Sequence, residues 1–168
     1  MASIIAIALA SCLRWPLTST SFYSFCSHVA VIQQLNDVLI SDLEERYSHW
    51  SYNQTIGETF VRLTEFFKVY VDYIKNYEEA VMRLEECRKA NSKLDSWVKT
   101  TEKRIPGSLD VQSLLITPVQ RIPRYNLLLQ DLVRRTWPDH PDFGPLTTAL
   151  ENMKSMSRAA RHWRASER

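Results

Sequence analysis

The sequence contains very little glycine and cysteine, and its charges nearly balance. Only three glycines occur in 168 residues, which argues against a turn-rich β fold. Cys12, Cys26 and Cys87 show no CxxC spacing, which argues against a disulfide framework or a zinc site and favours a reducing, cytoplasmic setting. The net charge of +2 is too small to indicate a nucleic-acid partner. Leu, Glu, Lys and Arg dominate the middle of the chain, which favours an all-α domain.

Motifs of known catalytic sites are also missing from the sequence. It has no Gly-rich phosphate loop, no nucleophile elbow and no HExxH pair. Adjacent glutamates such as Glu44 and Glu45 point in different directions on a helix, so they do not form a general acid and base dyad. We therefore expect no catalytic residue, no metal and no cofactor, and a protein that acts by binding.

Residues 1–28 differ in composition from the rest of the chain. They combine an apolar start with a Ser/Thr/aromatic middle and contain no acidic residue. The apolar run from Ile4 to Leu13 is too short to span a bilayer, and no basic residue precedes it as in a signal peptide. We predict an unrelated, poorly ordered segment over residues 1–28 and a helical domain over residues 29–168.

Helical periodicity begins near Ile32 and continues through most of the chain. Apolar residues at spacings of three and four predict helices over residues 32–43, 56–89 and 90–104 and from about 142 onward. Aromatic residues recur on one stripe of the second of these helices. Such a stripe is typical of packing between helices, so we interpret it as core and not as a ligand site.

The segment Thr117-Pro118-Val119-Gln120 has the form of a capping box with proline at the first helical position. This pattern predicts that a helix begins at Thr117 and that residues 108–116 form a separate short helical turn. Further along the same helix, one apolar face is predicted from Tyr125, Leu128, Leu129 and Leu132.

The most specific motif is the string LLITPVQRIPRYNLLL, which runs from Leu114 to Leu129. It closely resembles the third motif region of Dbl-homology (RhoGEF) domains, and the segments 35–77 and 136–150 resemble further parts of that family. The resemblance covers about residues 29–160. It implies an elongated helical bundle that promotes nucleotide exchange on Rho-family small GTPases, which makes the chain a regulator of GTPases and not an enzyme of bond chemistry.

The resemblance also implies which residues bind the GTPase. Gln120 and Arg124 are expected to contact the switch II side, with Thr117 in the same segment. Ile116 stands at a position that helps to select among Rho-family members, and isoleucine there suggests a Rac-like preference. In the last helix the family has an asparagine that bonds switch II, and this chain has Arg161 at that place.

Residues 1–28 offer no counterpart of the family's N-terminal helix, whose glutamate contacts switch I. We therefore expect a bundle that lacks its first helix, which leaves two functions open: an exchange factor, or an exchange-inactive interaction or scaffold module. A missing helix would leave an apolar stripe uncovered, so self-association is also expected. Any membrane association is expected to be indirect. For Arg121 we favour a structural role, either pairing with an acidic neighbour or capping a carbonyl.

Overall fold

The computed structural model describes residues 20–104, 107 and 109–166, with side chains described only between residues 25 and 160. This part of the chain forms six helices and no strand: α1 (Thr20–Ser48), α2 (Gly57–Arg62), α3 (Thr64–Ala90), α4 (Ser92–Glu102), α5 (Val111–Arg135) and α6 (Phe143–Ser166). Helix α3 lies at the centre and packs against α1, α4, α5 and α6. The predicted all-α bundle is confirmed.

The aromatic stripe predicted as core does form the core. Phe60, Phe67 and Tyr70 are almost completely buried. The ring centroid of Phe67 lies 6.0 Å from that of Tyr70 and 5.5 Å from that of Tyr125 on α5. Because burial of one such side chain contributes about 1.5–3 kcal/mol, this stripe is a principal source of the bundle's stability.

The prediction of a single long helix over residues 56–89 is wrong at one point, because α2 ends at Arg62 and α3 begins at Thr64. Leu63 between them has φ −87° and ψ 1°. Its N–H still donates to the Thr59 carbonyl at 3.1 Å, and its carbonyl accepts from the Phe67 N–H at 3.2 Å. Hydrogen bonding therefore continues across the break, and the apolar stripe passes through it in phase.

The boundary predicted at residue 28 falls inside α1, which begins at Thr20. Phe25 and Cys26 are buried, and the ring of Phe25 stacks on that of Tyr73 with 4.5 Å between the centroids. A segment without acidic residues can form a stable helix when a neighbouring helix covers its apolar side chains. Residues 1–19 lie outside the described part of the chain.

Helix α5 begins at Val111, so the capping box predicted at Thr117 is wrong. Asp110 caps the helix, because its carboxylate accepts from the Ser113 N–H at 2.6 Å. The Thr117 hydroxyl instead donates to the Ser113 carbonyl at 3.1 Å, as a threonine inside a helix commonly does. Pro118 removes only one backbone hydrogen bond, and burial of the apolar residues on both sides of it keeps the helix continuous.

The cap predicts a specific stability difference. Asp110→Ala should lower the free energy of unfolding by about 1 kcal/mol, whereas Thr117→Val should cost clearly less. Hydrogen bonds from Ser113 hold the pKa of Asp110 below its usual value. Since the folded-state pKa is the lower one, the cap's contribution is present at neutral pH and is lost as the pH falls through the acidic range.

Urea unfolding of both variants at neutral pH and in acid measures this difference. The deficit of Asp110→Ala should shrink in acid. An equal deficit for the Thr117 variant would instead support a helix start at Thr117.

A second cap joins segments that are distant in sequence. The carboxylate of Asp142, just before α6, accepts the N–H groups of Ile56 at 2.9 Å and Gly57 at 2.8 Å. Ile56 has no side-chain oxygen, so Asp142 provides the cap that α2 lacks. Burial raises the pKa of Asp142, and the two N–H donors oppose that rise. This contact fixes the start of α6 against the start of α2.

Gly57 is required at this junction because the two backbones touch. A Cβ atom on residue 57 would lie 2.5 Å from the Leu146 nitrogen and 2.7 Å from the Pro145 carbonyl carbon. Gly57→Ala should therefore lower the free energy of unfolding by about 1–3 kcal/mol. Gly144→Ala is the control, since a Cβ there meets nothing within 4 Å. Equal urea midpoints for the two variants would contradict the close approach.

Candidate functional site

Helix α5 carries four of the five predicted site residues, and it has one buried and one outward face. Its buried face packs into the core through Leu115, Val119, Ile122, Tyr125 and Leu129. Of the predicted residues, Ile116 and Thr117 are half-buried, whereas Gln120 and Arg124 are exposed. The core thus orients a helix whose outward face is polar.

Gln120 and Arg124 lie side by side on this outward face. They are four residues apart, which is about one helical turn. The Arg124 guanidinium donates from Nη2 to the Gln120 Oε1 at 3.2 Å. This hydrogen bond restricts both side chains before any partner arrives, and their remaining donors stay available to solvent.

Arg161 lies in α6, but its side chain is outside the described residues. The amide of Asn126 on α5 donates to the hydroxyl of Ser157 on α6, and the two helices pack against each other. Residue 161 follows Ser157 by about one helical turn. The structure therefore places Arg161 in the helix that packs against α5, one turn beyond a contact with it.

Two exposed leucines extend the outward face of α5. Leu127 is 67% exposed and Leu128 is 61% exposed, so the apolar face predicted for Leu128 is wrong. They follow Arg124 by three and four residues, which places them on its side of the helix. Three leucines in a row from 127 to 129 could have indicated this, since consecutive residues on a helix cannot all face the core. An exposed apolar pair next to polar groups is typical of a protein-binding surface.

A buried polar network joins this helix to α1 and α3. The Asn36 amide donates to the Tyr70 hydroxyl at 2.7 Å, and the Tyr125 hydroxyl donates to the Asn36 Oδ1 at 3.1 Å. Arg121 in turn donates from Nε to the Tyr125 hydroxyl at 3.0 Å, and its guanidinium carbon lies 4.9 Å from that ring's centroid. Arg121 therefore has a structural partner, but the partner is a tyrosine and not the acid or carbonyl that the sequence suggested.

Tyr70 and Tyr73 attach α3 to this assembly as neutral phenols. Burial raises the pKa of Tyr70, and burial likewise raises the pKa of Tyr73. The Tyr73 hydroxyl donates to the Leu115 carbonyl on α5 at 2.7 Å. The Tyr73 hydroxyl thus binds α5 directly from its buried side, and the Tyr70 hydroxyl is connected to α5 through Asn36 of α1.

A groove of about 360 Å³ separates α1 from α5. Ile32 and Ile40 on α1 and Pro118 on α5 form its apolar walls, and Thr117 and Arg121 lie on the α5 side. The groove therefore continues the outward face of α5 toward α1.

Within the described residues, no three His, Cys, Asp or Glu side chains are close enough to share a metal ion. Of the helices described, none is long and apolar enough to cross a membrane.

Comparison with known proteins shows the family of this chain. The model of the RhoGEF domain matches residues 4–160. The chain is 36% identical over 143 residues to the guanine exchange factor for Rac 30 of Dictyostelium discoideum, covering 84% of this chain and 8% of that protein. It is 34% identical over 125 residues to human FYVE, RhoGEF and PH domain-containing protein 4, covering 74% of this chain and 16% of the relative. The chain thus spans a small part of the length of these relatives.

Solved structures agree with this assignment at the level of the fold. The DH domain of FARP2 superposes with a TM-score of 0.78 at 20% identity, covering 96% of this chain and 81% of that one. The DH/PH domains of p115-RhoGEF give a TM-score of 0.78 at 16% identity, covering 96% and 51%. Family match and fold agree, and the chain belongs to the RhoGEF, or Dbl-homology, domain family.

Proposed function

We propose that this chain is a guanine-nucleotide exchange module for Rho-family small GTPases and that the outward face of α5 binds their switch regions. The observation that carries the proposal is the exposed, mutually hydrogen-bonded pair of Gln120 and Arg124, next to the exposed Leu127 and Leu128. Polar donors beside apolar side chains match the composition of protein interfaces. The names of the relatives, which specify guanine exchange for Rac and RhoGEF domains, support the same function.

Exchange requires linkage and no covalent step. A module that binds the nucleotide-free GTPase more tightly than the loaded one lowers nucleotide affinity by the same factor. The γ-phosphate and Mg²⁺ order the switch segments of a GTPase, so a surface that holds these segments in another arrangement weakens the nucleotide site. Such a surface has to be rigid, because a flexible one would follow the switches instead of displacing them.

The buried side of α5 supports this rigidity. Arg121, Tyr125 and Asn36 form a chain of hydrogen bonds that leads from α5 to α1, and Tyr73 binds the α5 backbone from α3. In this proposal Arg121 holds α5 in place and Arg124 contacts the partner. The two arginines, three residues apart, therefore have different roles.

Partner choice is the finer part of the proposal. Ile116 is half-buried and packs against the core at the N-terminal side of Gln120. Only part of its side chain is available, so it acts as a small apolar contact at the edge of the surface. Together with the word Rac in the name of the Dictyostelium relative, it supports a Rac-like preference. The alternative function is an exchange-inactive interaction or scaffold module, one testable form of which binds a GTPase without releasing its nucleotide.

Release of fluorescent GDP from a panel of Rho-family GTPases tests the function. The wild-type chain should accelerate release, most strongly for Rac-like members. Arg124→Ala should reduce the acceleration by about tenfold or more, since loss of a charged hydrogen bond in an interface costs at least about 1.5 kcal/mol. Arg134→Ala, another exposed arginine about 15 Å further along α5, should have little effect.

Three other outcomes have clear meanings. Binding of the nucleotide-free GTPase without acceleration would support the interaction module. Equal losses in the two arginine variants would contradict the assignment of the α5 surface. No binding and no acceleration with any member of the panel would overturn both functions.

Self-association is a further part of the proposal. A second groove, of about 430 Å³, is lined mainly by apolar residues of α1 and by Leu63 and Phe66. Phe66 is 60% exposed at its rim, where a second copy could insert its own phenylalanine and close a symmetric dimer.

Sedimentation at rising concentration should show a dimer that Phe66→Glu abolishes. Met82→Glu, equally exposed on α3, should not abolish it, and a monomer at every concentration would contradict the proposal.

A further inference from the structure

An unpaired carboxylate stands at the edge of the groove between α1 and α5. Asp37 lines this groove and is exposed. It makes no hydrogen bond or ion pair with the residues that the structure describes, whereas Asp42, further along α1, pairs with Arg62. Within the described part of the chain, Asp37 therefore has no hydrogen-bond or ion-pair partner, and its side chain is accessible to another molecule.

Asp37 shares its groove with the proposed GTPase-binding surface. Thr117 belongs both to the groove and to the predicted site, and Pro118 follows it in the groove wall. The outward face of α5 and the edge of α1 are thus one continuous surface. A GTPase that binds Gln120 and Arg124 would also cover the mouth of this groove.

The charges within the groove are arranged so that a cation is favoured on one side only. Arg121 lies on the α5 side, where its Nε donates to the Tyr125 hydroxyl and its guanidinium remains over the ring. Its positive charge repels a second cation from that side. The carboxylate of Asp37 attracts a cation on the α1 side, where the apolar side chain of Ile40 adjoins it.

We infer that Asp37 is a further contact residue for the GTPase: its carboxylate accepts a hydrogen bond from a cationic side chain of the bound GTPase, next to an apolar side chain held between Ile40 and Pro118. The inference rests on the proposed function. It adds a second helix to the binding surface and an acidic group that α5 does not provide beside Gln120 and Arg124.

The test compares Asp37→Asn and Asp37→Lys with the wild-type full chain. GDP release is measured at rising chain concentration, and binding of the nucleotide-free GTPase is measured in parallel. Asp37→Asn should lower kcat/KM by about three- to tenfold, mainly through KM, because it removes one charged contact at the interface edge. Asp37→Lys should lower it further, and the deficits should decrease at high salt.

Glu78→Gln on α3 is the matched control, since Glu78 is an exposed acid outside the groove. If the wild-type chain binds or exchanges and both Asp37 variants behave like this control, the inference is overturned and the proposed function stands. If the chain neither binds nor exchanges, both are overturned. Thermal unfolding of the variants should match the wild type, because Asp37 makes no hydrogen bond or ion pair with the described residues that the substitution would remove.

Discussion

The arrangement of the bundle depends on satisfying one buried amide. Asn36 is 3% exposed, and an amide at such a site costs several kcal/mol unless its donors and acceptor are paired. Its partners come from three helices: the Ile32 carbonyl of α1, the Tyr70 hydroxyl of α3 and the Tyr125 hydroxyl of α5. Apolar packing alone would tolerate small shifts of one helix along another. A fully paired amide does not, so Asn36 fixes the relative positions of the three helices that underlie the outward face of α5.

Much of the fold could be predicted from hydrophobic periodicity, because the spacing of apolar residues shows which side of a helix is buried against its neighbours. The stripe through Phe60, Phe67 and Tyr70 was predictable for this reason. Other features were not predicted, because their local signals are weak or because they depend on distant residues. The start of α5 is decided by Asp110 and by burial around Pro118, and the break at Leu63 does not change the phase of the stripe. The beginning of α1 depends on the Tyr73 ring that covers Phe25.

The candidate site was predicted from a family motif and not from the spacing of apolar and polar residues along the helix. Gln120 and Arg124 were proposed as contact residues because the surrounding string resembles a known family, whereas spacing alone would have favoured a solvated face. The exposure of Leu127 and Leu128 depends on how α5 is rotated against α3 and α6, which the sequence does not state. The inferred contact at Asp37 could not be read from the sequence for a similar reason, since only the fold brings the edge of α1 next to Thr117.

The contact between Asp142 and Gly57 has a consequence for the order of folding. It joins residues 85 positions apart, and the backbones meet so closely that only glycine fits. Closing so long a loop carries an entropic cost that short-range helix contacts do not. The contact needs α2 and α6 to be in place, so we expect it to form late, after the central helices have paired. In that case it acts mainly on the rate at which the finished bundle opens and much less on the rate at which the bundle assembles.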